Sequence, residues 1–165
     1  MARPVLRNIR ALVLDVDGVL TDGGMYYGSS GEPLKKFNVR DGMGLRLVRE
    51  AGLVVAFISG DRSAAVQRRA EKLGIRDLFL GAEDKLDALE RFLKSRRIAS
   101  REAAYVGDDV NDLPPMRRVG LAIAVADAAP EVRKAAHWVT RRRGGDAAVR
   151  EVCDILLKSR APSDR

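Results

Sequence analysis

The chain has 165 residues, 46% of them hydrophobic and 32% charged, with a formal net charge of +7. That length suits one compact soluble domain with a sizeable core, and no apolar run approaches the roughly 20 residues a membrane span needs. The positive balance draws anions, whether nucleic acid, a membrane surface or a phosphorylated metabolite, and does not choose among them. A lone cysteine, Cys153, rules out an intramolecular disulfide and is expected as core filling. The basic start Met1–Arg7 has no extended apolar signal region, so a cytoplasmic location is expected.

In chain order, Ala11–Val16 reads as a buried strand. Residues 23–39 break the pattern: Met25–Tyr27 and Leu34–Val39 are strand-like runs around the loose turn Gly28–Pro33, which predicts a β-hairpin insert. Then helix and strand alternate. Gly42–Ala51 predicts a helix, Leu53–Ser59 a strand, and Ser63–Leu73 a helix capped by Ser63, with Val66, Ala70 and Leu73 on one face. Strands at Asp77–Leu80, Ala103–Val106 and Leu121–Val125 are separated by helices at Asp84–Ser95 and Asp112–Val119. Pro130–Ala136 starts with a proline suited to a first helical turn, Trp138-Val139 lies near a last edge strand, and Asp146–Lys158 is a final helix. The alternation predicts a single α/β domain over 1–165, a three-layer Rossmann-like parallel sheet with helices on both faces. The end of the chain, Ala161–Arg165, is expected to fray.

The chemistry gathers after the strands. Asp15-Val16-Asp17-Gly18 follows the first apolar run, and Gly107-Asp108-Asp109-Val110-Asn111-Asp112 follows the fourth. Residues two apart on a strand share a face, so Asp15 and Asp17 can enter one pocket. Carboxylates that close repel unless a cation or proton lies between them, and an all-oxygen set suits Mg²⁺. Ligands in an open parallel sheet bind beyond the carboxyl ends of the strands, where Ser59-Gly60 also falls, and Lys85 opens the helix before the fourth strand. Nucleophilic carboxylate, hydroxyl, ammonium and metal-binding acid together form equipment for phosphoryl transfer.

In that order and spacing, Asp15-Val16-Asp17-Gly18-Val19-Leu20-Thr21-Asp22, Ile58-Ser59-Gly60, Lys85 and Gly107–Asp112 resemble the haloacid dehalogenase superfamily of aspartyl-phosphate phosphatases. Phe37–Gly44, Tyr105–Asp109 and Gly144–Glu151 further resemble the 3-deoxy-D-manno-octulosonate 8-phosphate phosphatase family of lipopolysaccharide biosynthesis, over roughly residues 9 to 158. The resemblance implies that Asp15 is the nucleophile and Asp17 the general acid and base. It implies Mg²⁺ held by the Asp15 and Asp108 carboxylates and the Asp17 carbonyl, with Ser59 and Lys85 on the transferring phosphoryl group. Asp112 would fix Lys85 or a metal-bound water, and Asp109 is either a ligand or a turn residue. Asn38, Val39, Arg40, Asp41, Gly42, Arg46 and Arg69, with Asp17 and Lys85, match positions that contact the sugar acid. Between Asp17 and Ser59 there is room only for the hairpin, so no large cap domain is expected. The implied assembly is a homotetramer whose sites are closed by neighbouring subunits, with Met25, Tyr26, Tyr27 and Phe37 as apolar contact surface and Gly144-Gly145 as a mobile lid.

One departure is visible: the family's Ser/Thr-Gly-Arg is Ser59-Gly60-Asp61-Arg62 here, which leaves open a related nonulosonate 9-phosphate as substrate. Rivals of other classes are a receiver-type signalling domain and a non-catalytic assembly or nucleic-acid module. Arg141-Arg142-Arg143 reads as a solvated face, with anion steering as the alternative, and His137 as a structural residue. Tyr26, Tyr27 and Phe37 are too clustered for a nucleic-acid stacking platform, so neither a nucleic-acid nor a membrane partner is expected.

Overall fold

A computed structural model describes residues 6–160; the frayed end expected at Ala161–Arg165 lies outside them. Five apolar runs become parallel strands: β1 (Ala11–Leu14), β4 (Val54–Ser59), β5 (Asp77–Leu80), β6 (Ala103–Gly107) and β7 (Leu121–Ala124). A two-residue edge strand, β8 (Trp138–Val139), completes a six-stranded sheet in the order β5-β4-β1-β6-β7-β8. Every residue of β1 and β6 is buried, which is why these strands read as unbroken apolar runs. Leu14 at the end of β1 is in register with Phe57 of β4 and Val106 of β6. The chain builds outward from β1 through β4 and β5, then returns to the other side of β1 for β6, β7 and β8. This reversal opens a crevice beyond the carboxyl ends of β1, β4 and β6.

The helices are α1 (Val39–Glu50), α2 (Ala64–Lys72), α3 (Lys85–Arg96), α4 (Leu113–Arg118), α5 (Pro130–Ala135) and α6 (Ala148–Lys158). Helix α6 packs along α1, while α3 packs on α4 and α4 on α5, giving the two outer layers of the sandwich. Ser63 and Asp84 cap α2 and α3 by accepting hydrogen bonds from the Ala65 and Leu86 N–H groups. Cys153 is buried on α6. His137 Nδ1 accepts the Ala122 N–H at 2.8 Å, a structural contact at the sheet edge.

The hairpin is shorter than its sequence suggested: β2 (Tyr26–Tyr27) pairs antiparallel with β3 (Pro33–Leu34), and a single Thr21–Phe37 bridge closes its base. The run Leu34–Val39 does not continue as a strand because Asn38 Oδ1 accepts the Arg40 N–H at 2.8 Å and starts α1 there. Phe37 leaves the expected exposed surface. It packs against the core with the Arg69 guanidinium 5.6 Å above its ring, whereas Met25, Tyr26, Tyr27 and Leu34 remain exposed. The Gly144-Gly145 pair, expected as a mobile lid, is seated on this chain's own loop 18–22. Gly145 N–H donates to Val19 C=O at 3.0 Å, Gly144 N–H to Asp127 at 2.9 Å, and a side chain at Gly144 would overlap the Gly18 carbonyl.

Candidate active site

Asp15 leaves β1 into the crevice with its own N–H donating to Val106 C=O at 3.0 Å, so its position is tied to β6 by the backbone. Asp108 leaves β6 beside it. Gly18, at φ +84°, lets the loop after β1 pass close enough that any side chain there would overlap the Asp108 carboxylate. Lys85, the first residue of α3, is buried and reaches across to Asp15 Oδ1 at 2.9 Å and Asp112 Oδ1 at 2.8 Å. A cavity of about 320 Å³ is lined by Asp15, Asp17, Ser59, Lys85, Asp108 and Asp109, with Gly23, Gly60, Asp61 and Asn111 completing its wall. Asp15, Asp17, Ser59, Lys85 and Asp108 therefore meet in one place.

Asp112 is fully buried and saturated by donors. Its Oδ1 accepts from Lys85 and from the Tyr105 hydroxyl at 2.8 Å, and its Oδ2 from the Asp108 N–H at 2.9 Å and the Asp109 N–H at 3.4 Å. Oxygens of Asp15, Asp108 and Asp112 lie within 4.8 Å of one another, a spacing that a metal ion could bridge. With its lone pairs engaged, Asp112 fixes Lys85 and the Asp108 loop and is a poor ligand. Asp108 Oδ1, by contrast, is buried with no hydrogen-bond partner among the described residues. Asp109 Oδ1 accepts the Val110 N–H at 2.7 Å, which gives it a turn-capping role at the cavity edge.

The carboxylates of Asp15, Asp108 and Asp112 thus gather near one ammonium, leaving excess negative charge in a largely buried place. Burial, reinforced by Asp112, raises the Asp15 carboxyl well above its ordinary range, against the pull of Lys85. Burial also pushes Asp108 up to about 6, with Asp112 adding and the Asp15 contact opposing. Burial works against the Lys85 ammonium, but Asp15 and Asp112 outweigh it and hold it above its usual value. A compact divalent cation would relieve the charge and occupy the orphaned Asp108 oxygen. The donors are all oxygen, which fits Mg²⁺.

The Asp17 carboxylate turns from that trio to the cavity's opposite wall, accepting from Lys35 at 2.5 Å and from the Ser59 hydroxyl at 3.4 Å. Lys35 also pairs with Asp61 at 2.9 Å, and Ser59 Oγ accepts the Asp61 N–H at 3.1 Å. Arg62 does not compensate for Asp61: its side chain lies where a Cβ on Gly81 would be.

A family model for haloacid dehalogenase-like hydrolases matches residues 73–151. The 3-deoxy-D-manno-octulosonate 8-phosphate phosphatase of Escherichia coli K12 is 50% identical over 157 residues, covering 95% of this chain and 84% of that protein. The chain belongs to this phosphatase family. The crystal structure of the Yersinia pestis octulosonate-phosphate phosphatase superposes with a TM-score of 0.93 at 47% identity, covering 94% of this chain and 84% of the other. The Moraxella catarrhalis octulosonate-phosphate phosphatase, crystallised with a magnesium ion, a phosphate ion and a KDO molecule, has a TM-score of 0.91 at 40% identity, covering 94% and 89%.

Against this family background, Asp17 and Lys85 line the cavity, whereas the other residues matched to the sugar acid do not line the cavity of their own chain. Val39, Gly42, Arg46 and Arg69 line a separate groove between α1 and α2, and Arg40 lines another beside α6. Asn38 caps α1 and donates weakly to Gly145 C=O at 3.4 Å. Asp41 is buried, and its Oδ1 accepts the Arg150 N–H at 2.8 Å at the start of α6. Lys35, Asp61, Tyr105 and Asn111 are site residues absent from the sequence-based set. Tyr105 carried a signal, since a tyrosine inside a fully buried strand requires a partner for its hydroxyl.

Proposed function

We propose that the chain is a Mg²⁺-dependent phosphatase that hydrolyses 3-deoxy-D-manno-octulosonate 8-phosphate to the free sugar acid and phosphate, in the cytoplasm, for lipopolysaccharide biosynthesis. The observation that carries this reading is Asp15 held through Oδ1 by Lys85, beside an Asp108 oxygen that no donor among the described residues satisfies. A carboxylate held on one oxygen can present the other to phosphorus. As the Asp15–phosphorus bond forms, the bond to the sugar oxygen breaks and that oxygen takes a proton from Asp17. Asp17 then accepts a proton from the water that releases phosphate and regenerates Asp15. Ser59 and Lys85 stand where they can donate to phosphoryl oxygens, and Asp112 keeps Lys85 in place. Mg²⁺, when bound by Asp15, Asp108 and the Asp17 carbonyl, supplies charge neutralisation for the phosphoryl group.

A cavity of about 320 Å³ open to one side leaves the sugar-acid end uncovered within one chain. The reading therefore includes a homotetramer in which neighbouring subunits close the site, with Asn38, Val39, Arg40, Gly42, Arg46 and Arg69 serving the sugar acid across a subunit boundary. Asp41 supports this indirectly, by anchoring α6 to α1. The test is phosphate release from a panel of sugar phosphates with Mg²⁺. Preference for the octulosonate 8-phosphate supports the proposal. Preference for a nonulosonate 9-phosphate reassigns the substrate, and absence of multiple turnover on every phosphomonoester rejects it.

A further inference from the structure

Lys35 stands one residue past β3, on a hairpin whose neighbouring Leu34 and Lys36 are exposed, yet its own side chain is 5% exposed. Lysine is among the side chains least often buried, because its ammonium loses strong hydration. Here two carboxylates compensate, Asp17 at 2.5 Å and Asp61 at 2.9 Å. The contacts close a ring: Lys35 to Asp17, Asp17 to the Ser59 hydroxyl, Ser59 Oγ to the Asp61 N–H, and Asp61 back to Lys35. Two members of this ring, Asp17 and Ser59, are assigned to the chemistry. A lysine serving only to tether the hairpin has no need to end on them. The base of the hairpin is fixed independently by the Thr21–Phe37 bridge and by the Tyr26 hydroxyl on Asp22 at 2.7 Å.

We propose that Lys35 is a positioning residue: an ammonium delivered by the hairpin that holds the Asp17 carboxylate at the cavity wall, so that catalysis depends on how the hairpin is seated. The inference rests on the phosphatase reading and adds a residue to it. Asp61 is the second anchor that keeps Lys35 in reach of Asp17. Misplacement of an acid–base group by about 1 Å is enough to cost about 100-fold in rate, so the effect belongs in kcat more than in KM.

The experiment measures kcat and KM of the full Mg²⁺-loaded chain on p-nitrophenyl phosphate and on octulosonate 8-phosphate, for wild type, Lys35→Ala, Lys35→Met and Lys35→Arg. Lys35→Ala is expected to lose about 10- to 100-fold in kcat with KM held within about threefold. Propylamine, but not propanol, is expected to restore part of the alanine variant's activity, and Lys35→Arg to exceed Lys35→Met by about tenfold. Unchanged kcat in a folded Lys35→Ala chain, or a loss that neither propylamine nor arginine recovers, overturns the proposal. If the alanine chain does not fold by circular dichroism, equal rates for Lys35→Arg and Lys35→Met overturn it instead. A wild-type chain active only on p-nitrophenyl phosphate sinks the sugar-acid assignment and leaves the Lys35 comparison decisive. A wild type inactive on both sinks the two together.

Discussion

Asp41 and Asp112 are both buried carboxylates in acidic motifs, and their surroundings give them different tasks. Four donors saturate Asp112, whereas Asp41 has one oxygen on the Arg150 N–H and the other without a hydrogen-bond partner among the described residues. Burial, opposed by the helix N–H contact, raises Asp41 from 3.8 to about 6. An acid whose folded value is raised binds more protons in the native state between those values, so its contribution is complete below pH 4 and is lost as pH rises through 6. Urea titrations of wild type should therefore show a stability decrease of roughly 3 kcal/mol at most from this group across pH 4 to 6. Asp41→Asn should make the slope in that window shallower, leaving the share that the raised Asp15 and Asp108 carboxyls contribute, and an unchanged slope would contradict the assignment. The sequence displayed Asp41 as a candidate sugar contact because neither its burial nor a partner 109 positions away is visible in local pattern. Asp15, Asp17, Ser59, Lys85 and Asp108 were legible because each lies at the edge of an element that apolar periodicity reveals. Lys35 and Asp61 were not, since their role exists only once the hairpin folds back over Asp17.

At the scale of elements, the central parallel strands β1, β6 and β7 were read nearly to the residue, because complete burial writes itself as consecutive apolar residues. Helix starts were less secure. Helix α1 begins three residues before the expected Gly42, where a β-like composition concealed an asparagine cap. Helix α3 ends on Arg97, an exposed residue held at φ +53° and ψ +47°, a left-handed C-cap that glycine adopts at lower cost. Arg97→Gly is expected to stabilise the fold by about 1 kcal/mol, seen as a higher urea midpoint at constant m-value. A lower midpoint would show that the arginine side chain contributes more than the strain costs. The α1–α6 crossing gives the opposite case. A Cβ on Gly44 would stand 3.0 Å from Arg150 Cδ and 3.1 Å from Cys153 Cβ. Gly44→Val should destabilise by about 1–3 kcal/mol through overpacking, measured by the same titration, and a neutral result would mean that α6 yields freely.

For the whole molecule, the absence of a large cap between β1 and β4 follows from the chain's economy: only residues 15–53, which hold the hairpin and one helix, separate those strands. What the sequence could not supply is which hairpin side chains turn outward. Met25 at 67% and Tyr27 at 64% exposure on one side of the hairpin, and Leu34 at 51% beside Tyr26 on the other, are apolar surface that one chain leaves uncovered, whereas Phe37 turns in. If neighbouring subunits pack on the two sides of this hairpin, Tyr27→Asp with Leu34→Asp should shift sedimentation from a tetramer to smaller species and lower phosphatase activity in parallel. A fully active monomer would remove assembly from the account. The central claim is narrower and concerns Asp15 as the group that accepts the phosphoryl moiety. Its most direct measurement is steady-state phosphate release by Asp15→Asn, with Mg²⁺ and a sugar-acid phosphate, beside wild type at equal folded concentration. The account predicts a loss of at least about 10³-fold with the fold intact; turnover within about tenfold of wild type would contradict it.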